Sequence, residues 1–118
     1  NAVPDDVLYS YSQRLAHLAE LLGDSDDFDE SREPLQEAIV VLERLSRSEK
    51  ALAQYNRALA RARGLAGFAC LKSGDKSEAK ELLELAMAEW ESYMASNPED
   101  PDAEQAVRWT SDQLRGLQ

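Results

Sequence analysis

A single cysteine, Cys70, rules out an internal disulfide and every metal site built from clustered cysteines. It falls on an apolar face of a predicted helix, where a small buried residue is the plain reading. A reactive thiol needs a basic neighbourhood or a helix N-terminus, and the surrounding sequence offers neither. Only five glycines and four prolines interrupt the chain, mostly where turns are expected, so long stretches are left for helix. No apolar run approaches the ~20 residues needed to span a bilayer, and no signal-peptide pattern is present.

Cations are scarce as well. Thirteen Lys and Arg stand against 23 Asp and Glu, a net charge of −10. A phosphate backbone rewards clustered bases, so nucleic acid is not the expected partner. The same charge disfavours an anionic membrane surface. Its main consequence is solubility, with a basic partner as the lesser alternative. At 118 residues the chain is one domain that can bury roughly two-thirds of its unfolded surface. Asn1-Ala2 reads as a scar of tag cleavage, leaving residues 3–118 as the domain. A cytoplasmic setting is expected, with a periplasmic or other extracytoplasmic one left open.

What is present is helical period. Apolar stripes predict five helices, over about 5–22, 32–45, 47–73, 77–96 and 101–116, and no strands. The first carries Leu8, Tyr11, Leu15, Leu18 and Leu22 and ends at Gly23. A polar stretch from Asp24 to Glu33 reads as a loop. The second carries Leu35, Ala38, Ile39, Leu42 and Leu45, widened by Val40 and Val41, with Pro34 tolerated in its first turn. Ser46 followed by Glu49 fits a capping box for helix three. That helix has a stripe of Leu52, Tyr55, Leu59, Ala62, Ala66 and Ala69. The fourth carries Ala79, Leu82, Leu83, Ala86, Trp90 and Tyr93 and stops at Asn97-Pro98. Asp100 is the expected N-cap of the fifth, with Pro101 at its first position. Its core stripe is Ala103, Ala106, Val107, Thr110 and Leu114.

Gly67, Cys70 and Gly74, followed by Ala79, Leu83 and Ala86, have the spacing of a tight helical hairpin whose small residues let two helices approach. Ala16, Ala19 and Gly23, with Ala38, Leu42 and Leu45, predict an earlier copy. Its glycine lies 51 positions upstream, the excess over a 34-residue period being split between the 24–33 loop and an arm between helices two and three. On these residues the chain resembles the tetratricopeptide repeat family over most of its length, as two elongated repeats and a capping helix. The family's aromatic positions are replaced, by Arg63, Cys70 and Leu83 in the second repeat. The resemblance implies an all-α fold of antiparallel hairpins stacked as a short right-handed solenoid. It implies a groove that binds a peptide or helix, and a non-enzymatic interaction scaffold. The alternative is a regulatory or sensor module of a larger bacterial signalling protein such as a kinase.

Carried onto this sequence, the family's groove positions fall on Gln13, His17, Glu20 and Leu21. In the second repeat they fall on Arg61, Gly64, Phe68, Leu71 and Lys72. The Lys and Asn of a carboxylate clamp are absent, since Gln13, His17, Gly64 and Phe68 stand there. Phe68 and Leu71 would form an apolar floor, with Arg61 and Lys72 as positive flanks suited to an acidic helix or peptide, or else the last helix closes over these residues and makes them core. Trp109, off the stripe of the last helix, marks a terminal docking surface or weak self-association.

The remaining candidates for chemistry fall away. His17, the only histidine, has no Ser or Cys partner at helical spacing. The acidic stretch fails the calcium-loop register: counted from Asp24, position five is Phe28, and counted from Asp27, position six is Arg32 and position twelve is Ala38. No catalytic residue, metal or cofactor is expected.

Overall fold

The computed structural model describes residues 3–48 and 52–117. Five helices account for most of them: α1 (Asp5–Asp24), α2 (Phe28–Ser46), α3 (Ala53–Lys72), α4 (Lys76–Ser96) and α5 (Pro101–Arg115). No strand occurs among the described residues. Each helix packs chiefly on its neighbours in sequence, and the odd-numbered helices also touch, α1 on α3 and α3 on α5. A helix of 20 residues is about 30 Å long. Links of three residues at 25–27 and 73–75 therefore force their helices antiparallel.

Three apolar clusters make up the core of the described residues. Leu42 and Leu45 of α2 pack with Tyr55, Ala58, Leu59 and Ala62 of α3. Leu35 joins Ala19, Ala66 and Ala69, and Ala60, Ala86, Trp90 and Ala103 unite α3, α4 and α5. Gly67 and Ala79 face each other across the α3–α4 hairpin as their spacing predicts: a Cβ on Gly67 would lie 3.3 Å from the Ala79 carbonyl oxygen. Asp100 caps α5, its Oδ1 accepting from the amides of Asp102 and Ala103, with Pro101 in the first turn.

Several boundaries differ from the sequence expectation. Helix α2 begins at Phe28, so the predicted 24–33 loop shrinks to three residues. Asp29 and Glu30 fall in its first turn, where carboxylates complement the helix dipole. Pro34 then lies in the second turn. Gly23 does not end α1; the residue in left-handed conformation is Asp26, at φ 61°. Helix α3 starts at Ala53 rather than near residue 47, with Leu52 as an exposed N-cap. Ser46 closes α2, its Oγ donating to the Glu43 carbonyl; the other half of the expected capping box, Glu49, lies outside the described residues, as do Asn1 and Ala2. In α1 the expected core residues Tyr11 and Leu18 are exposed, and Ser12, Ala16 and Ala19 are buried instead. Val40 is exposed too.

These differences share one cause: the internal copy is offset by 48 residues. The Asp27 amide donates to the Leu22 carbonyl and the Asp75 amide to the Cys70 carbonyl. Asp26 takes the place of Gly74, the two positive-φ residues of the links. Burial recurs at the same offset, pairing Ser12 with Ala60, Ala16 with Gly64, Ala19 with Gly67, Ser31 with Ala79, Leu35 with Leu83 and Ala38 with Ala86. Serine disguises the match. Ser12 and Ser31 occupy small-residue positions, and each hydroxyl is satisfied by a carbonyl three residues back, Tyr9 at 2.6 Å and Phe28 at 2.7 Å. Helix α5 continues the pattern: Ala103, Ala106, Val107 and Thr110 correspond to Tyr55, Ala58, Leu59 and Ala62 of α3, and all face the core.

Candidate functional site

Helix α3 is wrapped on two sides by α2 and α4, which is why its buried positions are so rich in Ala and Gly. One stripe stays open, running Arg57, Arg61, Leu65, Phe68, Lys72 in steps of four, four, three and four residues. Phe68 is half-buried at the centre of an aromatic row. Its ring centroid lies 5.7 Å from Phe28, edge to face, and 5.6 Å from Trp109. Phe28 reaches this row because α2 starts early, and Trp109 because α5 crosses α3 where Gly64 has no side chain.

An apolar pit lies on each side of this row. One, of about 210 Å³, is bounded by Ala19, Gly23, Phe28, Leu35, Leu65 and Phe68, with Glu20 and Asp24 at its edge. The other, of about 280 Å³, lies among Gly64, Leu65, Trp90, Ala106 and Trp109, with Arg61, Asp102 and Gln105 at its edge. Leu65 lines both. The Ser31 hydroxyl is held by the Phe28 carbonyl, and that of Thr110 by the Ala106 carbonyl at 2.7 Å. The walls that remain are apolar and aromatic, which suits burial of apolar side chains.

Of the two positive flanks expected from the sequence, Arg61 and Lys72, the first is neutralised. Arg61 is paired with Glu20 at 2.6 Å. Arg57 bridges Asp100 at 3.1 Å and Asp102 at 3.2 Å. Arg63, on the inner side of α3, reaches Glu43 of α2 and Glu89 of α4. Helix α3 contains bases and no acids, so it serves as the cationic axle on which the acidic helices close. Lys72 lies over the Phe68 ring, 5.3 Å from its centroid. The Tyr93 hydroxyl, then Arg57 and the α5 amides, hold the Asp100 carboxyl below the ordinary range. Burial pushes the Glu89 carboxyl up despite Arg63, and burial likewise raises the Cys70 thiol.

Of the predicted site residues, the structure brings Arg61, Phe68, Lys72 and Trp109 to one face. Trp109 stays 37% exposed there, on the last helix and lining one of the pits. Leu71 is half-buried and lines neither pit. Gln13 and His17 are exposed on α1 and line neither; the Gln13 amide donates to the Tyr9 hydroxyl at 3.3 Å. Sequence reasoning missed Leu65, although it was legible as i+4 from Arg61 and i−3 from Phe68. Phe28, an aromatic amid acids that reads in the sequence as folding back on the domain or marking a contact, does fold back, onto Phe68.

No helix among the described residues is long and apolar enough to cross a membrane. No family model, curated protein or solved structure matches the chain.

Proposed function

We propose that the chain is a non-enzymatic interaction scaffold of tetratricopeptide-like, right-handed solenoid architecture, which binds a peptide or helix of another protein across the α1–α3–α5 face. The observation that carries this reading is the pair of apolar pits flanking the aromatic row of Phe28, Phe68 and Trp109. Two apolar anchors of one segment would fill them, which is how grooves read an amphipathic segment. With Arg61 already paired to Glu20, recognition comes from apolar fit more than from charge. Nucleic acid and membrane surfaces are outside this reading, because the bases of α3 are engaged internally and the net charge is −10.

The test is selection of binding peptides from a random library, followed by mapping of their amide shift changes on the isotope-labelled protein. Shifts should centre on Gly64, Leu65, Phe68 and Trp109. Leu65→Gln should abolish binding while the thermal melt stays cooperative. Selected peptides that leave those amides unmoved would overturn the proposal.

A further inference from the structure

The outer face of α1 is apolar and largely uncovered, Tyr11 reaching Glu37 of α2 through its hydroxyl. Val7 is 52% exposed, Tyr11 41%, Leu18 48% and Leu21 52%. They form one stripe with Arg14 at its middle, spaced four, three, four and three residues apart. The 48-residue offset explains what the stripe is. It carries Val7, Tyr11, Arg14, Leu18 and Leu21 onto Tyr55, Leu59, Ala62, Ala66 and Ala69 of α3, the residues that receive α2 through Leu35, Leu42 and Leu45. On α5 the same positions are Ala103, Val107, Thr110 and Leu114, of which Ala103 and Val107 pack with Ala86 and Trp90 of α4. In three copies of one helix the same face is covered twice and bare once. The other end of the stack is finished differently, since the exposed residues of α5 are mostly polar or charged.

We propose that this face of α1 is a second docking site, distinct from the two pits. It takes one amphipathic helix of another polypeptide, seated antiparallel on α1 as α2 is seated on α3. Arg14 defines the partner's chemistry. It stands where α3 has the buried Ala62, so the incoming stripe has to present a carboxylate there to avoid burying an unpaired charge. A second copy of this chain is a poorer occupant. Antiparallel α1 helices would match Val7 with Leu21 and Tyr11 with Leu18, but would set Arg14 against Arg14, with −10 on each molecule.

The probes are synthetic peptides of the α2 sequence, residues 28–46. One is unchanged, and four carry a single Glu in place of Leu35, Ala38, Leu42 or Leu45. One Glu peptide should bind roughly tenfold tighter than the unchanged one, read by fluorescence anisotropy. Arg14→Ala should erase that advantage, and Arg14→Glu should invert it. Leu18→Glu, at an exposed position, should abolish binding without shifting the melt. The proposal is overturned if no peptide binds below about 1 mM, or if binding ignores Arg14. It is also overturned if binding survives Leu18→Glu but not Leu65→Gln, which would place it in the pits. Sedimentation equilibrium of the protein alone should show a monomer. A dimer dissolved by Leu18→Glu would make a second copy the occupant and overturn the assignment.

Discussion

Gly67 and Leu83 approach so closely that a Cβ built on Gly67 would lie 2.8 Å from the Leu83 Cγ, closer than real contacts allow. The α3–α4 hairpin therefore depends on a missing side chain at Gly67 and a small one at Ala79, both fully packed. Gly67→Ala should destabilise the fold by about 1–3 kcal/mol through overpacking, although alanine favours helix. Ala79→Leu should cost a similar amount. Ala19, the residue equivalent to Gly67, already carries a Cβ, so Ala19→Gly should cost only about 1 kcal/mol. Urea melts compare the three. An unchanged midpoint for Gly67→Ala would contradict the packing described.

The two hairpin links differ at one position, with Asp26 at φ 61° and Gly74 at φ 90°. Side chains resist this conformation, by about 1–2 kcal/mol for an ordinary residue and less for Asp. Gly74→Ala should therefore lower stability by about 1–2 kcal/mol, although nothing lies within 4 Å of the added Cβ. Asp26→Gly should be neutral or stabilising by up to about 1 kcal/mol. Equal losses in both variants would mean that side-chain contacts, not backbone conformation, decide the effect.

How much of this was legible follows from the same residues. The five helices were, because Leu, Ala and the caps at Asp100-Pro101 obey a 3.6-residue period throughout. The second hairpin was, because Gly67, Gly74 and Ala79 are small in the sequence itself. The first hairpin was not read in register. Small buried positions there are filled by Ser12 and Ser31, whose hydroxyls are satisfied only by their own helix. The left-handed residue is an aspartate among aspartates, and Gly23, the obvious turn signal, lies inside α1. The stripe of α1 misled for another reason: its larger apolar residues face outward, so hydrophobicity pointed to the uncovered side. Of the site, Phe68 and Trp109 were visible as aromatics off the core stripes. The loss of free charge at Arg61 was not, since Glu20 comes from another helix, distant in sequence.

Glu89 gives the fold a pH dependence opposite to that of its capping aspartates. Burial, partly offset by Arg63, raises its pKa in the folded state, and its Oε1 has no hydrogen-bond partner among the described residues. A raised folded pKa means stability that is fully present below the unfolded value of about 4.3–4.5 and lost as pH rises through the folded one. Asp75, lowered first by the Glu78 amide, and Asp100, lowered first by the Tyr93 hydroxyl, work the other way. Their stability is present above the unfolded aspartate value and lost as pH falls through the folded ones. Glu89→Gln should flatten the melting profile above pH 4.5 and leave the acid limb intact, whereas Asp100→Asn should lower the profile above the aspartate range and make its acid limb shallower. A Glu89→Gln profile that parallels the parent across the whole range would count against burial as the cause.

The aromatic row should separate stability from binding. Phe68 is held between Phe28 and Trp109, so Phe68→Ala removes two aromatic pairs as well as half-buried apolar area. A loss of about 2–3 kcal/mol is expected. Trp109 is more exposed, and Trp109→Ala should cost about 1 kcal/mol while widening the pit beside Gly64. A double-mutant cycle of Phe68→Ala and Trp109→Ala should return a coupling of about 0.5–1.5 kcal/mol, read from urea melts. Peptides selected on the parent protein should then bind Trp109→Ala at least several-fold more weakly, although its melt is nearly that of the parent. A coupling near zero would mean the two rings do not share a packed contact in solution. In that case the pits would lack a rigid wall, and the partner would have to order it on arrival.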